Sequence, residues 1–265
     1  MKRYKYLLFA SMLALLSACD KTDGALYSGD SNKISFLGSA INVPMAEGVV
    51  SVPVGRTSTS GDLSVPISLT AKGAGYTTAF TMAGPVKFEN GQGKSYAMVK
   101  YGDLSKIDPG SLAITSKDKD IDVALAFPFT LTIADEAVSV SMEKEINVSA
   151  TSALVFEDKG MADLNSTKGW GEDESKVKIQ KAKGVNVYKL ISPFGANSIA
   201  FMIKSDGKAV ICPNQVIVNN ATYGPVSISN VTGTIAGNVV TLNVGGYTVS
   251  AGSFGKGVEI ITLPK

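Results

Sequence analysis

Residues 127–133 read Phe127-Pro128-Phe129-Thr130-Leu131-Thr132-Ile133. Large apolar side chains take every second position, with proline or threonine between them. Side chains of a strand point alternately to opposite faces, so this stretch buries one face and wets the other. The same period runs outward from it. Ile34 and Phe36 flank Ser35, and Val50, Val52 and Val54 alternate with Ser51 and Pro53. Leu63, Val65, Ile67 and Leu69 alternate with Ser64, Pro66 and Ser68. Val86 and Phe88 flank Lys87, Met98 and Val99 lead into Lys100 and Tyr101, and Val138 and Val140 flank Ser139. No stretch carries the 3.6-residue period of an amphipathic helix. Thr59-Ser60-Gly61-Asp62, Glu89-Asn90-Gly91-Gln92-Gly93 and Asp108-Pro109-Gly110 are turn chemistry. Pro53, Pro66 and Pro128 have no N–H for a ladder and are predicted at edges or bulges. The pattern predicts an antiparallel β-sandwich over residues 33–150.

A polar stretch at 149–152 marks the boundary to a second domain, residues 153–265. Leu154-Val155-Phe156 opens it, and residues 157–175 are predicted as a loop holding the sole tryptophan, Trp170. Strands then resume through Val177 to Ile191, Ile199 to Ile203, Val210 to Cys212 and Val216 to Val218. Asp206-Gly207 predicts a hairpin with a type I′ turn. Val226 to Ile235, Gly237-Asn238 and Val239 to Val244 predict another, and Val258 to Leu263 closes the chain. With about eight strands, this domain is a sandwich or a small barrel. The fold class is all-β, with two antiparallel domains.

Composition removes whole classes of function. There is no histidine in the 265 residues. That excludes a Ser-His-Asp triad, a Cys-His pair and His-ligated zinc. Lys plus Arg number 25 and Asp plus Glu 23, with no long basic run, so nucleic acid is not an expected partner. Cys212 lies in Val210-Ile211-Cys212-Pro213, the setting of a buried small hydrophobe rather than a reactive thiol.

Lys2, Arg3 and Lys5 precede an apolar run from Leu7 to Ala18, which ends Leu16-Ser17-Ala18-Cys19. A basic head, a short apolar core and small residues at the exit describe a signal peptide over residues 1–18. The cysteine that follows makes the segment resemble a bacterial lipoprotein signal. The resemblance implies cleavage before Cys19, lipidation of its thiol and attachment to a membrane through the lipid. Without the leader's three basic residues, the mature chain is near neutral. Cys19 with the polar residues to Asn32 reads as a flexible tether. Asp20 and Asp23 resemble the acidic export signal of Bacteroidetes surface lipoproteins. That implies the outer membrane, at the cell surface or its periplasmic face.

Two further resemblances concern the domains. Glu47-Gly48, Val52-Pro53-Val54-Gly55-Arg56, Gly61-Asp62-Leu63-Ser64-Val65 and Val86-Lys87-Phe88-Glu89-Asn90-Gly91 resemble the Calx-beta pattern. In that pattern a strand of an Ig-like sandwich ends in arginine, and a Phe-x-x-Gly turn follows. No Asp-Tyr step or terminal acidic cluster accompanies Glu47, so the resemblance implies the fold and not the calcium site. Val177 to Ile191, Pro193-Phe194-Gly195 and Ile199 to Lys208 resemble the C-terminal domain of Bacteroidetes lipoproteins. Such proteins often resemble accessory members of surface glycan-uptake systems. The resemblance implies a glycan ligand and an outer-membrane transporter as partner.

Three aromatics are the candidate ligand-binding residues. Trp170 sits between Gly169 and Gly171 and before Glu172, Asp173 and Glu174. Its indole either stacks on a sugar ring or folds over its own domain. Tyr223 precedes Gly224-Pro225, and Tyr247 follows Gly245-Gly246. Glycine beside an aromatic marks a turn, so both rings are expected at the surface. The acids after Trp170 lack calcium-loop spacing, and Lys117 to Asp122 reads as a solvated turn. No catalytic residue, cofactor or metal is expected. The sequence reads as a non-catalytic binding or accessory lipoprotein, and alternatively as a structural, adhesion or protein-interaction one.

Overall fold

The computed structural model describes residues 33–71, 73–117, 120–134, 137 and 143–265. The leader, Cys19, the tether and the Val138–Val140 run lie outside them. The first half contributes β1 (Ile34–Phe36), β2 (Ala40–Pro44), β3 (Val49–Arg56), β4 (Leu63–Val65), β5 (Ile67–Thr70), β6 (Phe80–Met82) and β7 (Val86–Phe88). It continues with β8 (Lys94–Tyr101), β9 (Ser111–Lys117), β10 (Asp120–Ile133) and β11 (Glu145–Ala153). A single helical turn, α1 (Tyr76–Ala79), precedes β6.

One sheet runs β1-β3-β8-β6, and the other runs β2-β11-β10-β5 with β9 also on β10. All these pairs are antiparallel except β2 with β11, which is parallel from Ala40↔Asn147 to Pro44↔Thr151. Val50, Val52 and Val54 from the first sheet meet Leu125, Phe127, Phe129 and Leu131 from the second in one core. Pro53 and Pro128 lie opposite Tyr96 and Ser149 on one side and face a gap in the ladder on the other. Pro66 separates β4 from β5. Pro53 lies one residue beyond the last β1 partner, Val54. Pro128 falls between the β9 pairing, which stops at Ala126, and the β5 pairing, which starts at Thr130.

The second half holds β12 (Phe156–Lys168), β13 (Glu174–Ala182), β14 (Val187–Leu190), β15 (Ile199–Ile203), β16 (Ala209–Ile211) and β17 (Gln215–Asn220). Then come β18 (Gly224–Ser229), β19 (Thr232–Ala236), β20 (Val239–Val244), β21 (Gly246–Val249), β22 (Gly252–Ser253) and β23 (Gly257–Thr262). Between sandwich and barrel, the outcome is a barrel: β12-β13-β14-β15-β16-β19-β20-β23 closes on itself. A four-stranded sheet, β17-β18-β21-β22, packs with it.

Three local expectations need correction. Residues 157–168 and 174–175 are strand, not loop, because Ala162, Leu164 and Ser166 alternate inward. The run from Val226 to Ile235 is broken at Asn230, whose φ of 52° sends β18 and β19 into different sheets. The Asp206-Gly207 hairpin forms, but not as a type I′ turn, since only Gly207 has positive φ. Asp206 instead turns its carboxylate onto the N–H groups of Lys208 (2.8 Å) and Ala209 (3.0 Å).

The two halves share apolar packing. Ala182, Val185, Val187, Ala200 and Met202 of the barrel belong to the same buried cluster as the sandwich core. Polar links rim it. Ser205 N–H donates to Asp108 Oδ1 (2.8 Å), and Asn186 donates to Ser105 O (3.3 Å). The buried Lys189 reaches Asp120 (3.1 Å) and lies 4.9 Å from the Phe156 ring centre. Burial pushes the Asp120 carboxyl up, but the Ile121 N–H and Lys189 outweigh it and hold it below its ordinary range.

Arg56, at the end of β3, is buried. Its guanidinium donates to the carbonyls of Gln92, Gly61 (2.9 Å), Thr59 (2.8 Å) and Glu89 (2.9 Å) and lies 5.3 Å from the Phe88 ring centre. One side chain therefore fastens two loops to a strand end. A lysine cannot reach four carbonyls from one nitrogen, so Arg56→Lys is expected to cost about 2 kcal/mol in chemical denaturation. Asp120 has a depressed folded pKa, so its contribution is present above the unfolded value and lost as pH falls through the folded one. Asp120→Asn is therefore expected to flatten the loss of stability below about pH 4, measured by denaturation at each pH.

Candidate functional site: an aromatic patch on the barrel

The β12–β13 hairpin ends in a tight turn. Ser166 N–H donates to Asp173 O (2.8 Å), Gly169 N–H to Ser166 O (2.8 Å) and Gly171 N–H to Ser166 Oγ (2.7 Å). Glu172 takes a positive φ of 57° to complete the reversal. Trp170 sits in this turn, and its backbone N–H points to β23, where Glu259 Oε1 accepts it at 2.8 Å. The same oxygen accepts the Tyr247 hydroxyl at 2.6 Å. A Cβ at Gly169 would overlap the Glu259 carboxylate, and one at Gly257 would overlap the Tyr247 hydroxyl. Glycine is thus required at both positions by close approach.

Above this buried joint the aromatic rings form a chain. Trp170 is half-buried, with its ring centre 5.4 Å from Tyr247 and 5.4 Å from Phe254, the latter edge-on. Phe254 meets Tyr223 edge-on at 5.5 Å. Such edge-to-face pairs are favourable because the positive edge of one ring meets the negative face of the next. Tyr223 and Phe254 are 49% and 46% exposed. Among the described residues neither the Trp170 indole N–H nor the Tyr223 hydroxyl has a protein hydrogen-bond partner. Apolar surface and available polar tips therefore lie side by side.

The structure brings the three sequence candidates together but gives them different roles. Trp170 and Tyr223 reach the surface. Tyr247, expected there, is 3% exposed and forms the floor. The glycines before it lead into β21, where Gly245 and Gly246 pack against Asn230 and Ser229, rather than into an open loop. Burial, and then the Glu259 carboxylate beside it, push the Tyr247 phenol well above its ordinary range. Phe254 and Glu259 were not among the candidates. Phe254 carries the cue that marked the tyrosines, since it stands in Gly252-Ser253-Phe254-Gly255 with both glycines at positive φ. Glu259 interrupts the apolar run of β23, which is a cue for a buried partner.

The barrel interior offers no alternative site. Eight strands leave room for little more than their own side chains. The cavity lined by Leu164, Leu190, Phe194, Leu242, Glu259 and Ile261 measures about 10 Å³, the size of one water. On the outer face, a groove of about 490 Å³ is lined by Asp163, Asn165, Glu174 and Lys176. Its carboxylates are engaged, Asp163 by Lys176 (2.6 Å) and Glu174 by Asn165 (2.6 Å). No three His, Cys, Asp or Glu converge among the described residues. Cys212 is buried, its Sγ 3.3 Å from Gln215 Nε2, and desolvation pushes its thiol up to about 12.

No family model matches the chain, and no curated protein does. Several solved structures similar to it come from Bacteroides. A protein of unknown function from Bacteroides ovatus is 11% identical with a TM-score of 0.34, over 88% of this chain and 90% of its own. A multidomain protein including DUF1735, also from Bacteroides ovatus, is 12% identical with a TM-score of 0.33, over 88% and 93%. An auxiliary nutrient binding protein from Bacteroides thetaiotaomicron is 10% identical with a TM-score of 0.33, over 85% and 89%. At these scores the likeness carries no argument about what this chain binds.

A thiol reacts as the thiolate, and the Cys212 environment suppresses that form. In a soluble form beginning after Cys19, Cys212 is expected to resist Ellman's reagent at neutral pH and to react stoichiometrically once the chain is denatured. Reaction within the mixing time under native conditions would contradict the burial.

Proposed function

We propose that this chain is a lipid-anchored, non-catalytic binding protein of the outer membrane, which captures a glycan at the Trp170–Phe254–Tyr223 patch and serves an uptake transporter. The observation that carries the reading is the patch itself: three contiguous aromatics at the surface, over a floor fixed by Tyr247 and Glu259. Flat aromatic faces cover the apolar face of a pyranose, and adjacent N–H and O–H groups meet its hydroxyls. Contiguous exposed apolar surface is characteristic of interaction sites. The non-catalytic part is supported by the missing histidine and by the engaged carboxylates of the outer groove. The anchor is supported by the Leu16-Ser17-Ala18-Cys19 signal, and the outer-membrane location by Asp20 and Asp23 after it.

Trp170 is the sole tryptophan, so intrinsic fluorescence reports on the patch alone. Titration with a panel of soluble polysaccharides and oligosaccharides is expected to shift its emission for at least one of them. Tyr223→Ala and Phe254→Ala are each expected to weaken that binding by about tenfold, as loss of an aromatic anchor does. Flat titrations across the panel would overturn the glycan reading. Protease added to intact cells is expected to cut the body of the chain, and protection until lysis would place it on the periplasmic face instead.

A further inference from the structure

Resting on the reading of the patch as a binding surface, we infer that Glu259 is its positioning residue, the group that holds Trp170 in the orientation a ligand meets. Trp170 stands between two glycines whose N–H groups are both held inside the turn by Ser166. The N–H of Trp170 itself is held from outside the turn, by one atom. Glu259 Oε1 accepts the Trp170 N–H from the β12–β13 turn and the Tyr247 hydroxyl from β21. It thereby joins the barrel wall to the smaller sheet, with the indole packed on the tyrosine it has just fixed.

The arrangement is built rather than incidental. Glu259 is 4% exposed, and glycines stand wherever a side chain would obstruct its contacts. Its second oxygen, Oε2, lies beside Gly169, and the side chain lines the small cavity it shares with Leu164, Leu242 and Ile261. Burying a carboxylate is costly, whereas a leucine would suit the apolar neighbours. A leucine could not accept the Trp170 N–H. The carboxylate serves two donors, the main chain of Trp170 and the hydroxyl beneath its ring. Fixing that ring beforehand removes an ordering cost from binding.

The test uses the full chain in detergent micelles. The variants are Glu259→Leu and Glu259→Gln, the latter keeping a carbonyl oxygen to accept the N–H. Without ligand, Glu259→Leu is expected to red-shift Trp170 emission and increase its quenching by acrylamide. Glu259→Gln is expected to restore the wild-type values. On a glycan that binds the wild type, Glu259→Leu is expected to lose about tenfold in affinity and Glu259→Gln to recover it. Unchanged emission and quenching in Glu259→Leu would overturn the proposal, as would a Gln variant that behaves like the Leu variant. Should Glu259→Leu fail to fold, hydrogen exchange of the wild-type Trp170 amide decides. Slow exchange is expected, and exchange as fast as in an open loop would overturn it. If the ligand-free measurements come out as expected while no glycan binds the wild type, the positioning role stands and the glycan reading falls.

Discussion

Seven alternate side chains of β10, from Ile121 to Ile133, are buried. A fourteen-residue strand of that kind needs hydrogen-bonding neighbours along its whole length and apolar cover over one face. At about 1.5–3 kcal/mol for each large side chain removed from water, it is the greatest local concentration of hydrophobic stabilisation in the first half. Its requirements dictate much else. β11 lines one side, while β9 and β5 share the other in sequence. The handover between those two falls at Pro128, the one residue of the strand without an N–H to offer. The opposite sheet supplies the valines of β3, and Phe80 from β6 lies 5.3 Å from Phe129.

Two buried charges show how the fold treats groups that resist desolvation. Arg56 spreads its charge over four main-chain carbonyls, each of which would otherwise look to water. The guanidinium fork suits that task because its donors point in several fixed directions. Glu259 is the opposite case, with two donors gathered onto one oxygen. The first arrangement makes loops rigid where no exposed aromatic patch lies. The second lies directly beneath the exposed rings. Buried polar groups need partners in both cases.

The period of two was legible throughout, because Val, Ile, Leu and Phe announce a buried face by size. It failed where small or polar residues did the same job. Ala162 and Ser166 are as buried as any valine, yet they read as loop beside Asp163, Asn165 and Thr167. Closure of the barrel could not be read at all, since β12 pairs with β23 across almost the whole second half. The aromatic site was half legible. Glycine next to an aromatic marked Tyr223 as a surface residue, the same cue misplaced Tyr247, and Trp170, left open between the two, is half-buried on Tyr247 and Phe254. Before Tyr247 the glycines serve close packing against β18 and its end, at Ser229 and Asn230. Glu259 lies far from Trp170 in sequence, and nothing local links the two.

The apolar cluster that runs from the sandwich into the barrel has an evolutionary consequence. Val185, Val187, Ala200 and Met202 are covered by side chains from the other half of the chain. A recombination event that moved the barrel into another gene would carry those residues uncovered, next to a lysine whose carboxylate partner had been left behind. Either half would reach a new host with a sticky flank. Shuffling should therefore have moved these halves together, as one heritable block.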